Sequence, residues 1–114
     1  MSDYSVYLPH IDVEEGKTRV MNNEKLYMTL LGKFKGRQMA DDLISSMEAN
    51  DHSKVVQYAH ALRGTAGNLG FKVLFEITSE IEKLGKASER SSHLKNSLDD
   101  AVMNLEDAIL KISN

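Results

Sequence analysis

The chain has 114 residues, a formal net charge of −3 and no cysteine, which predicts one domain with its own core and excludes disulfides, thiolate zinc sites and cysteine nucleophiles. Its acidic balance argues against a general nucleic-acid binder, because such a protein would present a basic face. There is no apolar run near the ~20 residues of a membrane span and no signal-peptide pattern in residues 1–10, so we expect a cytoplasmic protein that does not enter a membrane.

The N-terminal part predicts a tail followed by a short helix. The lone proline, Pro9, falls in residues 1–10, which we interpret as an irregular tail. Asp12 is a good N-cap for a helix whose first turn carries two glutamates. We expect this helix to end near Met21, with Asn22 in the left-handed C-cap conformation.

A longer helix is predicted from Asn23, its N-cap, through Ala49. Its apolar residues recur at helical spacing and are Tyr27, Leu30, Leu31, Phe34, Leu43, Ile44 and Met47. Gly32 and Gly36 weaken the middle of this segment, because glycine is a poor helix former.

Three more helices are predicted after a turn at Asn50–Asp51. Asp51 caps the first, which extends to Leu69 and stops at Gly70. The second carries Leu74, Ile77, Ile81 and Leu84 and ends near Gly85, and the last carries Leu94, Leu98, Val102, Leu105, Ile109 and Ile112. Short loops between amphipathic helices imply antiparallel neighbours. The predicted fold is all-α, an antiparallel four-helix bundle with a short additional N-terminal helix, formed by residues 11–114.

The helix from Asp51 to Leu69 exposes a histidine. Its apolar residues recur at steps of three and four and form one stripe that faces the core, made of Val55, Ala59, Leu62, Ala66 and Leu69. At about 100° per residue, His60 falls about 140° from the middle of that stripe. By the same arithmetic, Ser53, Gly64 and Gly67 fall about 160°, 180° and 120° away. His60 should therefore point to solvent among small neighbours.

The residues around His60 indicate that a partner approaches it closely. Each glycine costs a helix about 1 kcal/mol relative to alanine, so Gly64 and Gly67 on one exposed face favour close approach. Arg63 follows His60 by three residues and lies within reach on the same helix surface. Its guanidinium could offset the negative charge of a phosphorylated imidazole. These features favour a reactive histidine over an incidental one.

The segment from His60 to Gly70, HALRGTAGNLG, resembles the phosphoacceptor signature of histidine phosphotransfer (HPt) domains. The residues that match its anchors are His60, Leu62, Arg63, Gly64, Leu69 and Gly70, with arginine in place of the commoner lysine. The upstream residues are similar to the opening of HPt domains in hybrid sensor kinases, and they are Ile11–Val13, Gly16, Arg19, Asn23, Leu26, Tyr27, Leu30, Leu31 and Phe34.

The resemblance implies a phosphocarrier without an active site of its own. Its partners would be response-regulator receiver domains, which hold a phospho-aspartate and Mg²⁺, and a hybrid sensor histidine kinase. His60 would carry the phosphoryl group on Nε2, and Arg63 and Gln57 would stabilise it. The residues that would admit and dock the partner are Gly64, Gly67, Val56 and Ser53. The chain itself would need no cofactor or metal, and we expect a monomer.

Other functions fit parts of the pattern. A chemotaxis-kinase phosphoacceptor domain has a similar motif but takes its phosphoryl group from a kinase domain, and a helical interaction module could carry His60 incidentally. A histidine kinase would have an acidic residue where this chain has Ala61, and it would need a glycine-rich phosphate loop. The other histidines, His10, His52 and His93, lack metal-ligand spacing. A hydrolase would require two carboxylates that face each other. Adjacent acidic residues on a helix do not face each other, so the acidic pairs of this chain do not fit that function.

Overall fold

The computed structural model describes residues 4–113, and every regular element in that range is helical. The α-helices are, in chain order, α1 (Val13–Thr18), α2 (Glu24–Gly32), α3 (Gly36–Glu48), α4 (His52–Leu69), α5 (Lys72–Lys86) and α6 (Lys95–Ser113). Short 3₁₀ turns at Ser5–Tyr7 and Ser92–Leu94 precede α1 and α6. The all-α prediction is confirmed, and none of these helices is both long and apolar enough to cross a membrane.

The N-terminal residues contain more regular structure than the predicted tail. Residues 1–3 of that tail lie outside the described range, but Ser5–Tyr7 forms a 3₁₀ turn. Ile11, just after the predicted tail, is fully buried in the core. The short helix α1 ends at Thr18, before the predicted end near Met21.

The predicted helix boundaries depend on capping residues. The side chains of Asp12, Asn23 and Asp51 each accept a hydrogen bond from the backbone N–H three residues later, at 3.0 to 3.2 Å. Each satisfies one N–H that a helix N-terminus leaves unpaired. Gly70 ends α4 in the left-handed conformation with φ 80°. Asn22 is left-handed, with φ 60°, but it is not the predicted C-cap, because α1 ends earlier and its C-cap is Arg19.

The prediction of one helix from Asn23 to Ala49 is wrong, because the chain breaks at residues 33–35 into α2 and α3. Phe34, inside the break, packs edge-to-face against Phe71 with the ring centroids 4.9 Å apart. A Cβ atom on Gly36 would lie 2.4 Å from the Phe34 ring. Gly36 therefore leaves the space that this ring occupies, and the helix break allows the aromatic contact.

Helices α4 and α5 form an antiparallel hairpin joined by a short link, Gly70–Phe71. Residues at similar distances from this link contact each other: Gly67 lies against Phe75, and Gly85 lies against Val56. A Cβ atom on Gly85 would come within 2.9 Å of Val56 Cγ2, so the glycine allows the helices to approach closely. This register brings the middle of α5 beside the middle of α4.

The core lies among the four longer helices. Helix α3 packs against α4 and α6, and α5 packs against the same two helices. The apolar side chains that these helices bury are Ala40, Leu43, Met47, Val55, Ala59, Leu62, Ala66, Leu69, Leu74, Ile81, Leu98, Ala101, Val102, Leu105 and Ala108. Burial of this apolar surface is the main stabilising term for the fold.

The segment that contains α1 and α2 holds the C-terminal end of α4. The Tyr27 hydroxyl donates a hydrogen bond to the Leu69 carbonyl at 2.6 Å, and both groups are buried. The Asp12 N–H donates to the Gly70 carbonyl at 2.7 Å. Burial and the Asp12 carboxylate raise the pKa of the Tyr27 hydroxyl, which therefore stays protonated as a donor. The end of α4 is thus fixed by residues far away in the sequence.

Candidate functional site

The outer face of α4 presents His60. The apolar residues predicted to face the core are all buried, whereas 66% of the His60 side chain is exposed. The prediction that His60 points outward is confirmed. Because α4 is capped by Asp51 at one end and by Gly70 at the other, this imidazole stands on a well-defined backbone.

A buried carboxylate holds the inner edge of the His60 imidazole. Nδ1 of His60 lies 3.0 Å from Oε2 of Glu82 on α5, whose side chain is only 5% exposed. An ionised carboxylate only accepts hydrogen bonds, so we assign the hydrogen to Nδ1, which donates to Glu82. This tautomer leaves the lone pair on Nε2, for which the described residues offer no hydrogen-bond partner. A nucleophilic nitrogen is therefore available on an exposed ring.

Glu82 is buried but well paired. Arg63 Nε donates to Oε1 at 2.6 Å, and the Lys86 ammonium lies 3.1 Å from Oε2. Burial alone would raise the pKa of Glu82, but hydrogen bonds from Lys86, His60 and Arg63 outweigh burial and lower the pKa to about 2. The carboxylate is therefore ionised at neutral pH, with two cations beside it.

Arg63 lies next to the imidazole, as the sequence predicts. Its Nη2 atom is 3.3 Å from Nδ1 of His60. Because both nitrogens are donors in the assigned tautomer, this contact is a close approach and not a hydrogen bond. The guanidinium carbon also lies 5.9 Å from the centroid of the Phe75 ring, within the range of a cation–π contact. Glu82 and Phe75 thus hold a positive charge beside the exposed ring.

The two glycines predicted to admit a partner have different surroundings. Gly64 is exposed, and a Cβ atom there would meet no heavy atom of the described residues within 4 Å, apart from the neighbouring backbone of α4 itself. Gly67 is half-buried, and a Cβ atom there would lie 3.3 Å from the ring of Phe75. Gly64 therefore leaves open surface one turn from His60, whereas Gly67 borders an aromatic side chain.

The other predicted site residues lie along α4 before His60. Ser53 and Gln57 are exposed, and within residues 4–113 neither side chain makes a hydrogen bond. Val56 is half-buried against Gly85 of α5. The expected apolar docking spot at Val56 is therefore only partly open, because the contact between α4 and α5 covers the rest. A contact of Gln57 with the phosphoryl group stays a prediction.

Glu82 and Lys86 approach the histidine from α5, and neither is predicted as a site residue from the sequence. Two signals point to Glu82. It follows Ile81 at the edge of the buried stripe of α5, where an unpaired charge would be costly. The short Gly70–Phe71 link also makes residues at similar distances from the turn face each other, and Glu82, eleven residues after Phe71, is close in register to His60, ten residues before Gly70.

Comparison with models of protein families matches residues 35–112 to the Hpt domain. No curated protein and no solved structure matches the chain. The matched range contains α3, α4, α5 and α6 up to its last residue but one, together with His60, Arg63, Glu82 and Lys86, and it spans more than half of the 114 residues. The chain belongs to the Hpt domain family.

Proposed function

We propose that this chain is a histidine phosphotransfer protein of a two-component phosphorelay, which carries a phosphoryl group on His60 between aspartates of receiver domains. The observation that carries the proposal is an exposed imidazole whose Nδ1 is held by buried, ionised Glu82, so that Nε2 remains available. Membership of the Hpt family supports the same function.

The proposed step needs little from the chain beyond a positioned nucleophile. The Nε2 lone pair attacks the phosphorus of an aspartyl phosphate, the N–P bond forms, the P–O bond breaks, and the aspartate leaves as a carboxylate. The ring keeps its Nδ1 hydrogen and gains positive charge, which the Glu82 carboxylate stabilises. Arg63 can donate to the phosphoryl oxygens. The reverse sequence passes the group to a second receiver.

The proposed role is that of a carrier and not of a kinase. Phosphoryl transfer depends mainly on positioning and charge stabilisation, and the Mg²⁺ of the receiver would provide much of both. We infer that response-regulator receivers and a hybrid sensor histidine kinase are the partners. On this reading the chain acts in the cytoplasm as a monomer.

The proposed role also favours a particular reading of the fold. We interpret α3 to α6 as the antiparallel four-helix bundle of an HPt domain, with α1 and α2 added at one end. The contacts of α3 and α5 with both α4 and α6 support this arrangement. A bundle of this kind would keep the phosphoacceptor helix rigid while leaving one face open to the partner.

A transfer assay tests the proposal. The chain is mixed with a receiver domain that carries a radiolabelled phosphoryl group on its aspartate, in the presence of Mg²⁺. We expect an acid-labile, alkali-stable label on this chain and none on His60→Gln. His52→Gln is the matched control, because His52 begins the same helix and has no part in the site; this variant should be labelled normally.

Each alternative gives a different result in the same assay. A His60→Gln variant that still accepts the label contradicts the assignment of the phosphoacceptor. Label that arrives only from a histidine-kinase domain with ATP, and from no receiver, supports a chemotaxis-kinase phosphoacceptor domain instead. A helical interaction module with an incidental histidine would accept label from neither donor.

A further inference from the structure

Two groups share one oxygen of the Glu82 carboxylate. Among the described residues, Oε1 accepts only from Arg63 Nε, whereas Oε2 lies 3.0 Å from His60 Nδ1 and 3.1 Å from Lys86 Nζ. Lys86 lies one turn after Glu82 on α5, and 63% of its side chain is exposed. The Lys86 ammonium therefore competes with the imidazole for the same lone pairs and lies close to the ring.

We propose that Lys86 is a positioning residue for phosphotransfer, which keeps the resting His60 imidazole neutral by moderating the attraction of Glu82 for it. This inference rests on the proposed function and adds a residue to it. Lys86 acts through Glu82 and need not touch the phosphoryl group.

The physical reason is that a carboxylate at Nδ1 has two opposing effects. It selects the tautomer that leaves Nε2 as the nucleophile, but it also stabilises a second proton on the ring. An imidazolium has no lone pair and cannot accept a phosphoryl group. A cation on the same oxygen weakens the second effect, since it repels positive charge on the ring, and it leaves the hydrogen bond that selects the tautomer in place.

The formal charges of the cluster support this role. With a neutral imidazole, the carboxylate of Glu82 and the cations of Arg63 and Lys86 leave one surplus positive charge. Protonation of His60 would raise this surplus, whereas a phosphoryl dianion on a ring that keeps its Nδ1 hydrogen cancels it. The net formal charge of the cluster is therefore zero when His60 is phosphorylated. The cluster disfavours an imidazole that is protonated without being phosphorylated, because the net positive charge is then larger.

Few other charges bear on this balance. Arg63 on α4 and Glu82 and Lys86 on α5 are the charged groups that contact each other or the ring, and within residues 4–113 no ion pair joins them to α3 or α6. Lys83 lines the same open depression beside Arg63 and Glu82, but among the described residues it forms no ion pair. Lys83 therefore provides a control with the same charge on the same helix.

The experiment measures phosphoryl uptake from a labelled receiver as a function of pH in the wild-type chain and in Lys86→Gln, Lys86→Arg and Lys83→Gln. We expect the acid limb of the Lys86→Gln profile to move to higher pH by about half a unit to one unit. Below the midpoint this lowers uptake about threefold to tenfold relative to the alkaline plateau of the same variant. Lys86→Arg and Lys83→Gln should follow the wild-type profile.

A second measurement keeps this inference independent of the transfer assay. Nitrogen NMR of the His60 ring follows its protonation directly, without any partner. The midpoint should move to higher pH in Lys86→Gln alone, and this shift can be measured even if no receiver labels the chain. A Lys86→Gln ring that titrates like the wild type, or an equal shift in Lys83→Gln, overturns the assignment of Lys86.

Discussion

His60 on α4 lies ten residues before Gly70 and Glu82 on α5 lies eleven residues after Phe71, and their side chains meet with Nδ1 and Oε2 3.0 Å apart. The pair combines an exposed imidazole with a carboxylate that is only 5% exposed. A buried acceptor excludes water from the inner ring nitrogen and leaves the outer one available.

Removing the charge of Glu82 should slow phosphoryl uptake without unfolding the chain. In Glu82→Gln the amide oxygen can still accept from Nδ1, but it no longer stabilises positive charge on the ring during transfer. We expect the uptake rate at neutral pH to fall about tenfold to a hundredfold. Glu80→Gln, an exposed residue on the same helix, is the control and should react at the wild-type rate. An unchanged rate in Glu82→Gln would show that the negative charge of Glu82 has no part in phosphoryl transfer and that its role is structural.

Acid should remove a stabilising contribution of Glu82. Its pKa is about 2 in the folded protein, against an ordinary value of 4.5. Between these values the unfolded chain binds more protons, so the contribution is present in full above pH 4.5 and is lost as the pH falls towards 2. Urea unfolding across this range should show the stability difference between wild type and Glu82→Gln shrinking with acidification. With Glu80→Gln the difference should stay constant.

A methyl group at Gly64 should have opposite effects on the stability of the chain and on its phosphoryl uptake. A Cβ atom there would contact no other described part of the chain within 4 Å beyond the adjacent turns of α4, so Gly64→Ala should stabilise α4 by about 0.5–1 kcal/mol in urea unfolding. The same methyl lies on the surface that a receiver must approach, and we expect slower phosphoryl uptake. Gly32→Ala is the matched control, since that position is equally open and lies at the end of α2. Equal uptake by the two variants would show that the partner does not approach Gly64 closely.

The buried hydrogen bond at the end of α4 should matter for stability alone. Tyr27→Phe leaves the Leu69 carbonyl without its donor, which should cost about 1–3 kcal/mol in the free energy of unfolding. Tyr58→Phe removes a hydroxyl that makes no hydrogen bond within the described residues and should cost much less. Both variants should keep the wild-type rate of phosphoryl uptake. A change in that rate for Tyr27→Phe would show that the C-terminal end of α4 also affects the reactivity of His60.

Local patterns in the sequence predict much of this structure because their causes are local. Capping side chains act within one turn, so Asp12, Asn23 and Asp51 can be recognised without any tertiary information. The phase of the apolar stripe on α4 likewise predicts which way His60 points. The wrong prediction, one helix across residues 23–49, concerns a segment where a tertiary contact between Phe34 and Phe71 decides the outcome.

The electrostatic partners of His60 depend on how two helices meet, which periodicity within one helix does not report. Arg63 is three residues away and was predicted, whereas Glu82 and Lys86 come from the facing helix. The length of the link between α4 and α5 carries the missing information, because it sets which residues face each other. Applied to a short link, this rule places His60 opposite Ile81 and Glu82, of which only Glu82 carries a charge.

The hydrogen bond from Tyr27 to Leu69 also bears on where the domain can be trimmed. A fragment cut to residues 35–112, the range that matches the family, would retain every side chain that contacts the imidazole. It would lose Tyr27, which donates to the Leu69 carbonyl at the C-terminal end of α4, and Phe34, which packs against Phe71 just after that end. Such a fragment would keep the reactive side chains, but the C-terminal end of α4 would be held less firmly. A fragment that retains this support should therefore begin before Ile11.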